Sequence, residues 1–319
     1  MFTNLNELKQ KVSIEDVVGR YVKFKKQGSN LVGLCPFHNE KSPSFNIQPS
    51  KSRFKCFGCG KSGDAIDFVA LHDNVGFVEA VKKVAEIMNF ELEGESKQII
   101  RPVPRLEKLS KEFLENFESV RKISNNTLLR FNVTEAIEWM PKAQKEVKVV
   151  CFNYMREGEV VNIKFRGKKK DMKLAKDAEL IFYNIDAIKD EKECVIVEGE
   201  IDCLSMYEAG IYNCVSVPNG ANDNLKYIDN CYEYFLNKEK IIIATDNDEA
   251  GRKLKDALMY RFGVDRCWVV DFGILEADCK DANDVLIKLG ALKLAEIVSK
   301  ATQVPIEGLV AENERKNRL

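Results

Sequence analysis

Apolar residues change their spacing several times along this chain of 319 residues. In the opening segment Ile14, Val17, Val18 and Tyr21 recur at helical intervals behind Ser13 and Asp16, a pair suited to an N-cap. Between Lys23 and Cys59 the pattern shortens to strand-length runs broken by turns. Asp64 stands ahead of a helical pattern through Ile66, Phe68 and Val69, and Phe77, Val81, Val84, Ala85 and Met88 mark one face of a second helix. Residues 94–105, GESKQIIRPVPR, are polar, carry two prolines and have no period, which predicts an interdomain linker. A mixed signal follows, with a helical stretch over 106–120 and a strand pair, 147–154 and 160–166, joined by the turn MREGE. Beyond Glu193 the runs CVIVE, CVSVP, IIIAT and CWVVD alternate with helical patterns over 202–209 and 249–261. Short β-branched runs separated by helices predict βα units on a mainly parallel sheet, an α/β fold class. The last stretch, 301–319, is polar and reads as a linker or frayed end.

Composition narrows the setting without naming a function. With 45% apolar and 31% charged residues the chain reads as an ordinary soluble protein, and no apolar run is long enough to cross a bilayer. The N-terminus, MFTNLNELKQK, lacks a signal core, so the chain is expected to stay where it is made. A net charge of -1 gives no global pull toward a polyanion, so any nucleic-acid binding has to come from local basic patches. Of ten cysteines, Cys151, Cys194, Cys203, Cys214, Cys231 and Cys267 lie in apolar or mixed segments and read as buried reduced thiols, while Cys279 has no obvious partner. That usage suits a reducing cytosol.

The remaining three cysteines gather with a histidine. Cys35-x2-His38 and Cys56-x2-Cys59 offer four ligands in two close pairs, the spacing at which one tight turn presents two donors to one Zn²⁺. Gly58 and Gly60 flank the second pair and permit the turn. Four protein ligands leave no open position, so the single ion is expected to be structural. His72, on a helix without such neighbours, reads as a surface or half-buried residue. Around the knuckle stand Lys23, Lys25, Lys26, Lys41, Lys51, Arg53, Lys55, Phe54 and Phe57. Two readings stay open here: a face that neutralises phosphates and stacks on bases, or a solvated ribbon with both phenylalanines packed inward.

Carboxylates follow the strands of the βα region. Glu198 ends CVIVE, Asp246 and Asp248 follow IIIAT, and Asp281 opens the run Asp281-Ala282-Asn283-Asp284 after the next strand. Sites in open parallel sheets form at the carboxyl ends of strands, where clustered carboxylates need a cation. Mg²⁺ suits oxygen ligands and bridges to phosphates, and a pair of such ions can activate a hydroxyl and stabilise leaving pyrophosphate. Helix caps and turns are the bland use of the same residues. Upstream, Lys164, Arg166, Lys168, Lys169, Lys170, Lys173 and Lys176 form a basic run. Lys164 and Arg166, two apart on a strand, share a face and could bind triphosphates or a template backbone.

GLCPFHNEKSPSF and FKCFGCGKSGDAIDFV resemble the zinc-binding domain of DnaG-type primases, and EGEIDCLSMYEAG, TDNDEAGR and CKDANDVL resemble the three TOPRIM motifs. With Asn219-Gly220 between them, the wording is most similar to bacteriophage primase–helicases and the related Twinkle. The resemblance implies a zinc-ribbon β domain (1–93) that helps select a template triplet and a linker (94–105). An RNA polymerase module follows, made of an N-terminal subdomain (106–190) and a TOPRIM catalytic subdomain (191–300), before a linker or tail (301–319). It implies zinc on Cys35, His38, Cys56 and Cys59, Mg²⁺ or Mn²⁺ and acid–base chemistry at Glu198, Asp246 and Asp248 with Asp281 nearby, and nucleotide and template contacts at Lys164, Lys170 and Lys173. The expected activity is synthesis of short RNA primers from ribonucleoside triphosphates on single-stranded DNA, in the cytoplasm of a bacterial host of a phage or plasmid. No G-x-x-x-x-G-K-[ST] loop occurs, so the replicative helicase is expected as a fused or separate partner. A TOPRIM nuclease, or a non-catalytic loader that binds single-stranded DNA, are the competing expectations.

Overall fold

In the computed structural model, inward-facing Phe45, Ile47, Phe54 and Cys56 alternate with more exposed neighbours and tie the first sheet to its helices. The structure describes residues 2–94, 99–220, 225–274 and 278–303, so most of the expected tail and residues 95–98 of the expected linker lie outside the described residues. Two units emerge: one of 1–101 with 176–180 and 226–239, the other of 102–175, 181–225 and 240–319.

The first unit carries strands β1 (Phe24–Gln27), β2 (Asn30–Gly33), β3 (Phe45–Gln48), β4 (Arg53–Cys56) and β5 (Ser62–Gly63), antiparallel in chain order. Phe45 stacks on Phe54 at 5.2 Å, and Phe68 meets both rings edge-on from helix Ala65–Asp73. Each such fully buried phenylalanine is worth roughly 1.5–3 kcal/mol. Asp64 starts that helix with a full capping box, accepting from the backbone N–H of Ile66 and Asp67 while Asp67 accepts from Asp64. Helix Phe77–Ile87 buries Phe77, Ala80, Val81, Val84 and Ala85, close to the predicted stripe. Segment 226–239 belongs to the same core: the Tyr232 ring lies 4.6 Å from Phe77, and its hydroxyl donates to Asp67 at 2.7 Å.

The second unit begins with an antiparallel sheet of β6 (Thr134–Met140), β7 (Lys145–Arg156), β8 (Glu159–Arg166) and β9 (Met172–Leu174). Glu157 (φ 53°) and Gly158 (φ 79°) make the predicted MREGE turn between β7 and β8. Strand β6 is additional to the predicted pair, because its pattern is inverted. Glu135 is buried, accepting from the Ser110 N–H and pairing with Lys148, whereas Ile137 and Trp139 are exposed. Over 106–120 the helix starts only at Lys111, and its second half, 116–120, widens to a looser turn.

The remaining strands are β10 (Glu193–Val197), β11 (Cys214–Ser216), β12 (Lys240–Ala244), β13 (Cys267–Val269) and β14 (Thr302–Gln303). Their order is β11-β10-β12-β13-β14, parallel except for the last pair. Cys194–Val197 and Ile241–Ala244 are buried as continuous apolar runs, the signature of strands covered on both faces. The α/β reading therefore holds: one unit carries an antiparallel sheet with the Cys/His cluster, and the other carries a mostly parallel sheet with helices. All six scattered cysteines are buried and outside any disulfide, and Cys279 is buried as well. Among the described residues no helix is long and apolar enough to cross a membrane.

Candidate metal centres

Pairing of Phe45 with Cys56 across β3 and β4 brings the two halves of the first centre together. Cys35 follows β2, His38 sits in the loop to β3, Cys56 ends β4 and Cys59 closes the turn to β5. Their ligand atoms all lie within 4.8 Å of one another. Cys35 Sγ to Cys59 Sγ is 3.9 Å and Cys56 Sγ to His38 Nδ1 is 3.8 Å. A tetrahedron with Zn–S of about 2.3 Å has edges of about 3.8 Å, so the cage has the size of a Zn²⁺ ion. Backbone N–H groups of Phe37 and Cys59 point at Cys35 Sγ and Cys56 Sγ, each at 3.4 Å. Burial pushes the Cys35 thiol up to about 12, so a bound cation is what makes it a thiolate at neutral pH. Gly58 is required for a reason other than its dihedrals: a Cβ there would stand 2.6 Å from His38 Nε2 and 2.9 Å from Ser44 Oγ. The four donors form a site that fits Zn²⁺. The two open readings of the surrounding aromatics divide: Phe54 is 1% exposed and belongs to the core, whereas Phe57, between two ligands, is 56% exposed.

The second cluster grows from the tips of β10 and β12. Val197 and Ala244 are register partners, so Glu198 and Thr245 leave adjacent parallel strands side by side. Asn247 N donates to Lys280 O at 2.8 Å, joining the loop after β12 to the one that carries Asp281. Gly251 lets the first turn of helix Glu249–Phe262 close, since a Cβ there would be 2.0 Å from Asp246 O. Asp248 accepts from Gly251 N at 2.9 Å and Asp281 from Asp284 N at 2.7 Å, so both do serve as helix caps. Capping uses one oxygen of each and leaves the other available.

Electrostatics show that these carboxylates feel one another. Burial first, then Glu198, Asp281 and Asp248, push the Asp246 carboxyl up to about 7. Burial also raises Asp281. Among the described residues no three carboxylates bring their oxygens within 4.8 Å of one another. Such spacing fits Mg²⁺, which takes one or two carboxylates together with substrate phosphates and waters.

Beside Glu198 and Asp246 opens a cavity of 540 Å³ lined also by Lys164, Arg166, Lys173, Asp202, Asn219 and Gly220. Lys164 and Arg166 do share it, as alternate positions on β8 require. Lys164 is 8% exposed and its Nζ lies 2.8 Å from Glu200 Oε1, which also accepts from the buried Tyr154 hydroxyl. Lys173 Nζ is 3.1 Å from Glu138. Lys170 is exposed and near enough to Asp246 to favour its charged form. Arg166 is half-buried, and among the described residues its guanidinium has no hydrogen-bond or ion-pair partner; burial lowers its pKa, against the pull of Glu200 and Asp202 and with Arg121 adding repulsion. Arg166 also lines a second cavity, of 440 Å³, with Arg121, Lys148, Lys168, Lys169, Lys170, Phe113 and Phe117.

Sequence reasoning overlooked Asp202, Glu200 and Arg121. Asp202 is buried one turn after Glu198, and burial followed by Asp281 and Asp246 raises its carboxyl well above the usual range. It accepts from Asn283 N at 3.2 Å, while the Asn283 side chain bonds Ser205 Oγ and both the backbone and guanidinium of Arg121. The run of three acidic residues at a strand tip, Glu198, Glu200 and Asp202, the last two opening the helix Glu200–Glu208, was the available signal. Arg121, isolated in a weakly patterned segment, had none.

Comparison with known proteins converges on these two centres. Residues 2–99 match the model of the CHC2 zinc finger, and residues 195–286 match the Toprim-like model. The chain is 36% identical to an Arabidopsis thaliana primase homolog protein over 64% of this chain and 63% of that one. It is 33% identical to the Arabidopsis thaliana chloroplastic/mitochondrial Twinkle homolog protein over 86% of this chain and 39% of that one. The chain thus spans less than two thirds of either relative. A solved structure of the Aquifex aeolicus primase, with its zinc-binding and RNA polymerase domains, aligns over 95% of this chain and 87% of that one at 22% identity, with a TM-score of 0.49. The finger match falls on the residues that build the zinc cage and the Toprim-like match on those that gather the carboxylates, the pairing of modules in which this chain resembles DnaG-type primases.

Proposed function

We propose that this chain is a DNA primase, a DNA-directed RNA polymerase that makes short RNA primers on single-stranded DNA. The observation that carries the reading is one cavity whose lining joins Glu198 and Asp246, from neighbouring strand tips, with Arg166, whose guanidinium has no hydrogen-bond or ion-pair partner among the described residues. Glu198, Asp246, Asp248 and Asp281 would hold Mg²⁺ or Mn²⁺, which supplies charge neutralisation at the reacting phosphate and lowers the pKa of a nearby hydroxyl when bound. The reaction joins a 3′-oxygen to the α-phosphorus of a ribonucleoside triphosphate and releases pyrophosphate. Arg166 and Lys170 meet the triphosphate, since charge-assisted bonds to phosphate relieve the burial cost of a lone guanidinium. Lys164 and Lys173 form the paired wall of the same cavity and set its charge. The cavity shared by Arg121, Lys168, Lys169, Phe113 and Phe117 suits a template strand, with cations for phosphates and rings for bases.

In this reading residues 1–93 form the template-reading zinc domain, 94–105 the linker, 106–190 the first part of the polymerase module, 191–300 its catalytic part and 301–319 the tail. Exposed Phe57 beside the zinc supplies a surface on which an unpaired base can stack. A replicative helicase, fused or separate, is the partner, and the setting is the cytoplasm of a bacterial host of a phage or plasmid. The test is primer synthesis on a randomised single-stranded library with labelled ribonucleotides. Short RNA products that need a divalent cation are expected. Metal-dependent cutting of DNA without ribonucleotides, and no RNA product, would replace this reading with a nuclease.

A further inference from the structure

Glu40 lies in the loop between the two halves of the zinc cage and is not one of the four ligands. Its two oxygens face different neighbours. Oε1 accepts from the backbone N–H of Cys35 at 2.7 Å and of Ser44 at 3.1 Å. Oε2 accepts from the Ser44 hydroxyl at 2.5 Å and stands 3.3 Å from His38 Nε2. His38 turns its other nitrogen, Nδ1, toward Cys56 Sγ at 3.8 Å. An imidazole can bind a metal only through a nitrogen that carries no proton, so the partner of the second nitrogen decides which one is free. A carboxylate oxygen only accepts, and here it faces Nε2, which favours the proton there and leaves Nδ1 bare toward the thiols.

The geometry points to Glu40 as the positioning residue of the zinc centre: it fixes the His38 tautomer through Oε2 while tying the Cys35–Ser44 loop through Oε1. Outer carboxylates of this kind are worth about 10- to 100-fold in metal affinity. A carboxylate that only ties the loop would need its bonds to Cys35 and Ser44 but not the approach of Oε2 to His38 Nε2, and this difference makes the assignment testable.

Glu40→Gln separates the two roles. The amide carbonyl can take the place of Oε1 and keep both backbone bonds. The amide nitrogen then replaces Oε2 and donates, so it is satisfied by His38 only when the proton moves to Nδ1, the tautomer that cannot bind zinc through that atom. The measurement is zinc competition between the intact chain and a chromophoric chelator, with folding checked by circular dichroism in excess zinc. E40Q is expected to bind zinc at least about tenfold more weakly than wild type. A smaller change overturns the assignment and leaves Glu40 as a loop tie. Should E40Q fail to fold, the zinc-loaded wild type decides by long-range ¹H–¹⁵N spectra of its histidine rings. Only His38 and His72 are present, so the signals are readily separated. Metal on Nδ1 with a proton on Nε2 is expected, and metal on Nε2 overturns the assignment. Neither readout depends on primer synthesis, so its failure would be distinct from failure of the primase reading.

Discussion

The two centres are built from opposite logic. In the zinc finger four donors already stand at the edge lengths of one tetrahedron, and backbone N–H groups and Glu40 hold them there. Around Asp246 the carboxylates stand further apart, repel one another and face an open cavity. A closed cage can keep its ion through every cycle, as a structural metal must. An open acidic cavity is completed only when cation and substrate phosphates arrive together, which is what a nucleotidyl-transfer site needs.

The largest expected effect falls on the open centre. Asp246→Asn removes a charged ligand with little change in shape, and primer yield should drop by about 100- to 1,000-fold, the usual loss when one preorganised charge-stabilising group is removed. Zinc content, measured by metal analysis, should remain at one ion per chain. Equal yields from wild type and variant would break the proposed division of labour.

Arg166→Ala tests the cation of the same cavity. Losing a charge-assisted bond of about 1.5–3 kcal/mol should raise the KM for ribonucleotides roughly 10- to 100-fold, and Arg166→Lys should restore part of it. Unchanged KM values in steady-state primer assays would move triphosphate binding elsewhere.

Gly251→Ala asks how tightly the acidic loop is built. A methyl group 2.0 Å from the Asp246 carbonyl has to displace backbone, at about 1–3 kcal/mol, and should lower the urea midpoint without releasing zinc.

The smallest expected effect is a slope of stability with pH. The Asp246 carboxyl titrates near 7 in the fold and near 3.9 in the unfolded chain. Between those values the folded state holds the proton that the unfolded state has lost, so this group's contribution to stability declines as pH rises from about 4 to about 7. Urea midpoints from pH 5 to 8 should show that decline. Mg²⁺ should offset it at the upper end, and D246N should flatten it. A wild-type slope that neither Mg²⁺ nor D246N alters would assign the titration to other groups.

Both centres were legible in the sequence to different depths. The pairs Cys35/His38 and Cys56/Cys59 name their ligands outright, because ligand spacing within one turn is a local property. Glu198, Asp246, Asp248 and Asp281 were legible as strand-tip residues, yet their neighbours were not. Lys164 read as a candidate phosphate contact, but its pairing with Glu200, which also accepts from Tyr154, was not legible. Strand β6 escaped because the face carrying Glu135, Ile137 and Trp139 covers the glutamate and leaves the two large apolar side chains exposed, against the rule that apolar residues are the buried ones.

Local grammar alone settled the capped helix at Asp64, the turn at Glu157-Gly158, the βα alternation and the zinc ligands, since each depends on residues a few positions apart. Only the tertiary structure decided which nitrogen of His38 faces the thiols, that Asp202 joins the acidic group, and that Lys164 is buried against Glu200 while Arg166 is half-buried and without a hydrogen-bond or ion-pair partner among the described residues. The reason is physical: burial and pairing depend on distances between segments far apart in the chain, and those distances set the charge state and availability of every group in the cavity.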